Sequence, residues 1–248
     1  MDIKDWEFFG KKGLDYWYFI GKKDLIGREL SRLKQADKPK ILVVGCGVGD
    51  DIGIIESYGD VTALDCDLQA LEQVPSRVKK VLARIEDTGF VEEFDLIVML
   101  GVLEHIDDDF LAIQKVKLSL KNGGRAIICV PACGLLFGPH DLALSHRRRY
   151  SAHGLRKLLE NAGFNIISFS YWNSILSPLI LAHRVIHNIL HMGEPAIGLV
   201  KLPNMVNNLL IWVIRAENRI RDIISFPFGI EILAIVEKRS ATPKDTPK

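Results

Sequence analysis

Charge of one sign is what this sequence lacks most clearly. Its 248 residues carry 32 lysines and arginines against 31 aspartates and glutamates, which gives a formal net charge of +1. A domain that binds nucleic acid usually shows a strong basic patch. The balanced charge therefore argues against nucleic acid as a partner, and we expect none.

Membrane-spanning and secretory segments are also lacking. No apolar run is long and charge-free enough to span a bilayer, and the first residues, Met1–Trp6, contain no apolar signal region. The cysteines are few and show no metal-ligand spacing, so we interpret them as reduced thiols of the cytosol: Cys46, Cys66, Cys129 and Cys133. A cytoplasmic location is the expectation.

A metal site is not expected either. His183, His187 and His191 recur every four residues and would share one helix face. Two histidines at that spacing can bind zinc, but Glu194 is the only carboxylate near enough to join them. A polar edge of an amphipathic helix is therefore the favoured interpretation.

Apolar residues are abundant, at 48% of the chain, which is enough for the full core of one α/β domain at residues 1–238. Short apolar runs alternate with helical segments, and this alternation predicts a parallel, doubly wound sheet with helices on both faces. The predicted strands lie near Ile41–Val44, Val61–Leu64, Val78–Ala83, Leu96–Leu100, Ala126–Val130, Asn165–Tyr171 and Ile230–Glu237.

Three segments lie outside this alternation. Residues 1–36 predict N-terminal helices, and the polar, proline-containing tail at 239–248 predicts disorder. Between the last two strands, residues 173–226 predict a helical insertion with amphipathic helices near Ile175–His191 and Asn204–Ile224. The insertion has three open interpretations: a lid over a substrate, a helical pair that only packs on the domain, and a contact with a membrane surface.

The most informative motif follows the first predicted strand. Gly45, Gly47 and Gly49 form a G-x-G-x-G turn between a buried strand and a helix, and glycine lets the backbone approach a ligand where a Cβ would collide. Asp65 ends the next strand, where a carboxylate can accept hydrogen bonds from ribose hydroxyls. The motif predicts a nucleoside-containing cofactor, and a glycine turn needed only for tight packing of strand and helix is the alternative.

The glycine spacing bears on which cofactor this is. Dinucleotide-binding folds favour G-x-G-x-x-G, with a helix N-terminus aimed at a pyrophosphate. Here the third glycine comes one position early, and Asp50 and Asp51 follow it. Two carboxylates at that place would repel a pyrophosphate but tolerate a ligand that carries an ammonium group.

Downstream segments extend this pattern into a family resemblance. Together with the glycine turn they resemble, in order and spacing, the class I S-adenosylmethionine-dependent methyltransferases: Phe94–Leu100, Gly101–Ile106, Leu118–Gly124 and Ala126–Pro131. Two further segments, Tyr16–Lys23 and His140–Ser151, resemble a bacterial and archaeal subgroup. The resemblance implies a Rossmann-like, seven-stranded, mostly parallel sheet whose last strand is antiparallel.

The resemblance also implies which residues hold S-adenosylmethionine. Asp65 would hold the ribose, and the other expected contacts are Gly45, Cys46, Gly47, Gly49, Cys66, Leu100 and Gly101. Relatives often carry Gly-Asp after the third strand, but this chain has Ala83 and Arg84 there. We therefore expect Ile85 and Glu86, or Asp87 in place of Glu86, to make the adenine contacts.

Candidate groups for the chemistry come from the same resemblance. His146 and His105 are the candidate bases, and packing roles are the alternative for both. Arg147 and Arg149 would bind an anionic acceptor, because guanidinium groups bind carboxylates and phosphates bidentately. Their alternative is a solvated run of charge. Tyr18, in the N-terminal segment, is also assigned to the substrate.

The resemblance implies a methyltransferase that uses S-adenosylmethionine. We expect O-methylation of a small-molecule, glycan-linked or lipid-linked acceptor. If residues 173–226 contact a membrane, the protein would lie peripherally at the inner membrane face. A protein that binds S-adenosylmethionine without turnover is the alternative. A nicotinamide-dependent oxidoreductase is the third reading, and the glycine spacing disfavours it.

Overall fold

The architecture is a seven-stranded sheet with helices packed on both faces. A computed structural model of the protein describes residues 15–33, 37–182 and 202–239. The strands are β1 Lys40–Val44, β2 Asp60–Asp65, β3 Lys79–Leu82, β4 Phe94–Leu100, β5 Leu120–Pro131, β6 Phe164–Trp172 and β7 Glu231–Lys238. The helices are α1 Trp17–Arg32, α2 Ile52–Ile55, α3 Leu68–Gln73, α4 Asp109–Ser119, α5 Pro139–Ala143, α6 Ala152–Asn161 and α7 Asn204–Arg221.

The sheet has the order β3-β2-β1-β4-β5-β7-β6. Strands β1 to β5 pair in parallel, and β7 lies antiparallel between β5 and β6. The prediction of a doubly wound sheet with an antiparallel last strand is confirmed. The fifth strand is longer than predicted, because Leu120 already pairs with Phe94 across an irregular register.

The strand order determines where a ligand can bind. The chain leaves β1 toward β2 on one side and returns to β4 on the other, so the connections diverge at the carboxyl ends of β1 and β4. Crevices of this kind are the usual ligand sites of open α/β sheets. The crevice here lies beside Val44, Asp65 and Leu100, which end β1, β2 and β4.

Helix α7, from the predicted insertion, packs against α1 at the other end of the sequence. The helices approach so closely at Gly21 that a Cβ there would lie 2.7 Å from the side chain of Ile214. Asn218 is fully buried and joins the elements: its amide donates to the Gly21 carbonyl at 2.9 Å, and its oxygen accepts from Trp172 Nε1 at 2.8 Å. The insertion is therefore tied to the N-terminal helix and to β6.

Glu217 of α7 also attaches the insertion, through hydrogen bonds to the chain that follows β6. Its buried carboxylate accepts hydrogen bonds from the backbone N–H groups of Ser174 and Ile175, each at 2.8 Å. Glu217→Ala would leave these donors without their partner, so we expect the free energy of unfolding to fall by about 2–4 kcal/mol. Urea unfolding measures this, with the exposed Glu72→Ala as the control. Equal stability of the two variants would refute the role.

Several predictions fall on residues outside the described ranges. These are residues 1–14 and 34–36 of the N-terminal segment, 183–191 of the first insertion helix with its three histidines, Glu194, and 240–248 of the tail. The described part of the first insertion helix is the short helical stretch at 177–182. Among the described residues, no helix is both long and apolar enough to cross a membrane.

Candidate functional site

The glycine turn after β1 adopts the backbone that its sequence predicts. Gly45, Gly47 and Gly49 have φ angles of +63°, +53° and +85°, a region that residues with a Cβ rarely adopt. A Cβ at Gly45 would lie 2.4 Å from Val102 Cγ2. The turn forms a cradle of bare backbone beside the crevice, and at Gly45 the space of a side chain is already taken by Val102.

Asp65 links this turn to the end of β2. One carboxylate oxygen accepts a hydrogen bond from the Gly47 N–H at 2.8 Å, and the other accepts from the Asp67 N–H at 3.0 Å. Each carboxylate oxygen has a second lone pair. The carboxylate is therefore held in a fixed orientation with acceptor capacity left for hydroxyl donors of a ligand.

An open pocket with about 470 Å³ of empty space lies in the crevice. It brings together six of the predicted site residues: Gly45, Asp65, Cys66, Ile85, Glu86 and His105. Its other lining residues are apolar, with the exception of Arg84. The pocket lies where the resemblance expects the nucleoside of the cofactor.

Glu86 is a carboxylate that lines this pocket two positions after Arg84, which stands where relatives often have an aspartate. It lies in a short 3-10 helix, Ile85–Asp87, and its side chain is 13% exposed. Arg84 Nε lies 3.5 Å from Glu86 Oε1. Asp87 is not among the pocket-lining residues. Of the two alternatives open from the sequence, the geometry favours Glu86.

The end of β4 forms the floor next to this pocket. Gly101 has a φ of +67°, and a Cβ built on it would lie 3.5 Å from Glu104 Oε1 and 3.7 Å from Lys22 Nζ. Gly101 therefore lies where two charged side chains converge. Leu100, half-buried, precedes it.

His146 is held beside this floor by a buried carboxylate. His146 Nδ1 lies 2.9 Å from Asp141 Oδ1, and Arg149 Nε donates to the same oxygen at 2.8 Å. Asp141 is fully buried. Because a carboxylate oxygen can only accept, the proton of a neutral His146 sits on Nδ1, and the Nε2 lone pair is free to act as a base or ligand.

His105 packs against His146, with the two rings edge to face and 4.8 Å between their centroids. His105 Nδ1 lies 3.2 Å from the Ser145 carbonyl oxygen, which places its proton on Nδ1 as well. Burial, with His146 nearby, lowers the pKa of His105 to about 4. His105 is therefore neutral at physiological pH and is a weak proton acceptor.

Glu104 completes this group. Its side chain is buried, and Oε1 lies 3.9 Å from His146 Nε2. Burial raises the pKa of Glu104 to about 7, against the opposing effect of hydrogen bonding at its own backbone and the charge of His146. Glu104 lies in the Gly101–Ile106 segment that resembles the family, but no role for it was predicted from the sequence.

The two arginines predicted to bind the substrate are engaged with the protein. Arg149 is buried, and besides Asp141 its Nη1 donates to the Ala132 carbonyl at 3.0 Å. Arg147 is half exposed, donates to the His105 carbonyl at 2.8 Å and pairs with Asp107. Their role toward a substrate stays a prediction, and the contacts give both a structural role in the loop.

Tyr18 lies in a buried polar network under the site. Its hydroxyl donates to Glu231, which also accepts from Cys129 Sγ at 3.0 Å. Burial and the Glu231 carboxylate raise the pKa of Tyr18 well above its usual value. Burial works to lower the pKa of Lys22, but Tyr18 and Glu231 outweigh it and raise the pKa well above normal.

Sequence reasoning missed Lys22, Glu231 and Asp141. Lys22 and Glu231 are more than two hundred positions apart and meet only because α1 and β7 lie on the same side of the crevice. Asp141 lies in the His140–Ser151 segment that resembles the subgroup. Its position five residues before His146 was the sequence signal that could have identified it.

Comparison with known proteins identifies the family. A family described as methyltransferase domain matches residues 16–169, which is more than half of the chain. No curated protein sequence matches the chain significantly.

Solved structures share the fold at low sequence identity. An S-adenosylmethionine-dependent methyltransferase from Archaeoglobus fulgidus superimposes with a TM-score of 0.58 at 15% identity, covering 87% of this chain and 94% of the other. The YcgJ protein of Bacillus subtilis gives 0.59 at 17% identity, covering 88% and 99%. The [4+2]-cyclase SpnF gives 0.57 at 14% identity, covering 88% and 82%.

The glycine cradle, the oriented Asp65 and the pocket lined by Glu86 fit a nucleoside cofactor. The family match covers the same segment of the chain. The chain therefore belongs to the class I S-adenosylmethionine-dependent methyltransferases, and S-adenosylmethionine is its cofactor.

Proposed function

We propose that the protein methylates a hydroxyl oxygen of a small-molecule, glycan-linked or lipid-linked acceptor. The observation that carries this proposal is the oriented imidazole of His146, whose Nε2 lies 3.9 Å from Glu104 Oε1, beside the end of β4. A hydroxyl is a poor nucleophile until it loses its proton, so O-methylation needs such a group more than methylation of an amine does.

The residues of the cradle would place the cofactor. Gly45 and Gly47 would let its methionine part lie against bare backbone, Asp65 would accept hydrogen bonds from the ribose, and Glu86 would approach the adenine. When bound, S-adenosylmethionine supplies an electrophilic methyl group on a sulfonium. Burial raises the pKa of Asp51, which follows the glycine turn, and the charge of Lys22 on α1 opposes this.

The acceptor would be activated on the other side of Gly101. His146 Nε2 would take the hydroxyl proton directly. Asp141 would stabilise the resulting imidazolium through the hydrogen bond at Nδ1. His105 is the weaker candidate base, because its pKa of about 4 gives it little affinity for a proton at neutral pH. Positioning and the exclusion of water would supply much of the remaining rate enhancement.

A product analysis tests this proposal. The protein would be incubated with S-adenosylmethionine carrying a 13C-labelled methyl group and a panel of sugars, phenols and polyprenyl-linked glycans. We expect release of S-adenosylhomocysteine with a labelled methoxy carbon in the NMR spectrum of the product. A labelled methyl group on nitrogen, sulfur or carbon would contradict the proposal.

A lipid-linked or otherwise apolar acceptor is supported by the exposed face of α7 and the residues after it. Large apolar side chains are exposed there: Met205 at 85%, Leu209 at 60%, Trp212 at 67% and Ile223 at 85%. Arg215 and Arg219 lie exposed on the same helix. Exposed apolar residues with basic neighbours are typical of surfaces that rest on anionic membranes.

Replacing Leu209 and Trp212 with serine tests this surface. Both side chains point into solvent, so we expect the variant to keep its stability and its affinity for S-adenosylmethionine, while sedimentation with anionic liposomes falls at least severalfold. The matched control is Leu68→Ser with Val91→Ser, two exposed apolar residues elsewhere on the domain. If the wild type does not sediment with liposomes, or both variants sediment as it does, the proposed membrane contact is wrong.

A further inference from the structure

Glu104, His105 and His146 together have the composition of a transition-metal site. One ligand atom from each side chain lies within 4.8 Å of the other two. Two imidazoles and a carboxylate are a common ligand set for zinc, iron and related divalent ions. Bonds of about 2.0–2.2 Å place tetrahedral ligands roughly 3.4 Å apart, so a contraction of up to roughly 1.4 Å would bring the three atoms around one ion.

Both imidazoles are oriented as metal ligands usually are. His146 is held at Nδ1 by the Asp141 carboxylate, and His105 is held at Nδ1 by the Ser145 carbonyl. A histidine that binds a metal almost always donates its other N–H to a carboxylate or carbonyl, which fixes the ring and increases the basicity of the ligating nitrogen. Both Nε2 atoms are thereby left with a free lone pair.

Glu104 supplies a second, independent observation. Its Oε2 is buried and has no hydrogen-bond partner among the residues that the structure describes. A buried carboxylate oxygen without a partner is costly, and a bound ion, a water molecule or a catalytic role are the usual reasons that a native protein keeps one. The free oxygen belongs to a side chain that is 2% exposed and already adjoins His146.

The surrounding charges are compatible with a cation. Arg149 is neutralised by Asp141, and Arg147 by Asp107. Lys22 faces Tyr18 and the carboxylate of Glu231, and its charge also acts on Glu104 beside Gly101. The two arginines are therefore balanced by their own acids, and Lys22 is shared between Glu231 and Glu104.

We propose that Glu104, His105 and His146 bind a divalent first-row transition-metal ion that activates the acceptor hydroxyl. This rests on the proposed O-methylation at the same place. With the ion bound, the acceptor oxygen coordinates it and loses its proton to solvent. The oxygen then forms a bond to the methyl carbon as the carbon–sulfur bond breaks, and S-adenosylhomocysteine leaves with the electron pair on sulfur.

Titration of the full-length, EDTA-treated protein with Co²⁺ tests the site, because ligand-field absorption reports coordination by imidazole and carboxylate. We expect one equivalent to bind with a saturable visible spectrum. Glu104→Gln and His105→Ala should each weaken binding at least tenfold. Asp141→Asn, which alters the support of His146 and the ion pair with Arg149 but removes no ligand, should weaken it roughly 10- to 100-fold. Circular dichroism would establish that each variant is folded.

The matched controls are His187→Ala and His153→Ala. His187 belongs to the repeated histidines outside the described residues, and His153 is an exposed histidine of α6. Both variants should bind Co²⁺ as the wild type does. Absence of Co²⁺ binding, or loss of binding in His187→Ala with retention in folded Glu104→Gln, would overturn the proposal.

The same titration separates this inference from the proposed function. If no Co²⁺ binds but a labelled methoxy product forms, O-methylation stands and the metal site is wrong. If Co²⁺ binds at the three residues but the methyl group is found on nitrogen, the metal site stands as a binding site while its proposed role and the acceptor atom are wrong.

Discussion

Replacing His146 with alanine is expected to lower kcat by about 10²–10⁴-fold, the contribution that a positioned proton acceptor usually makes. The variant loses the imidazole nitrogen that adjoins Glu104, whether this nitrogen takes the proton itself or binds an ion that acidifies the hydroxyl. Affinity for S-adenosylmethionine should remain within about threefold, because the cradle and Asp65 lie across the crevice. Single-turnover kinetics with a saturating acceptor and calorimetry of cofactor binding measure the two quantities.

His153→Ala is the control for this substitution, since it removes an exposed imidazole from a neighbouring helix. It should retain the wild-type kcat. A folded His146→Ala variant with unchanged kcat would show that His146 only packs the loop, which is the alternative that the sequence left open.

Asp65→Ala is expected to weaken S-adenosylmethionine binding by about 1.5–3 kcal/mol, or roughly 10- to 150-fold. The carboxylate is oriented by the Gly47 and Asp67 N–H groups before any ligand binds, so its remaining lone pairs are aimed at the pocket without further ordering. The variant loses both the acceptor and this link between the glycine turn and β2. Isothermal titration calorimetry measures the change.

Asp60→Ala is the matched control for Asp65. Asp60 begins the same strand, is exposed, and lies at the opposite edge of the sheet from the crevice. Its substitution should leave cofactor affinity intact. Unchanged affinity in a folded Asp65→Ala variant would mean that this acid does not hold the ribose.

The sheet and the conformation of the glycine turn were predictable from the sequence because these features are local. The run Ile41–Val44, the glycines after it and Asp65 at the end of the next strand each report their own conformation within a few residues. The order of the strands then brings their carboxyl ends to one edge.

The acceptor side was less predictable because it is assembled from distant segments. Glu104 and His146 are 42 positions apart and face one another only after the loop after β5 folds back onto the end of β4, where the Arg147 N–H donates to the Glu104 carbonyl at 2.8 Å. The contact between α1 and α7 depends likewise on Gly21, whose missing side chain admits Ile214. The hydrophobic periodicity of a single segment cannot predict contacts between segments that are distant in the sequence.

A crystal structure of the protein with S-adenosylhomocysteine would show both sides of the crevice at once. We expect the ribose hydroxyls to bind the Asp65 carboxylate and the sulfur to lie beside Gly101, on the side that faces Glu104 and His146. A ligand whose sulfur points away from these two side chains, or whose ribose does not contact Asp65, would contradict this expectation.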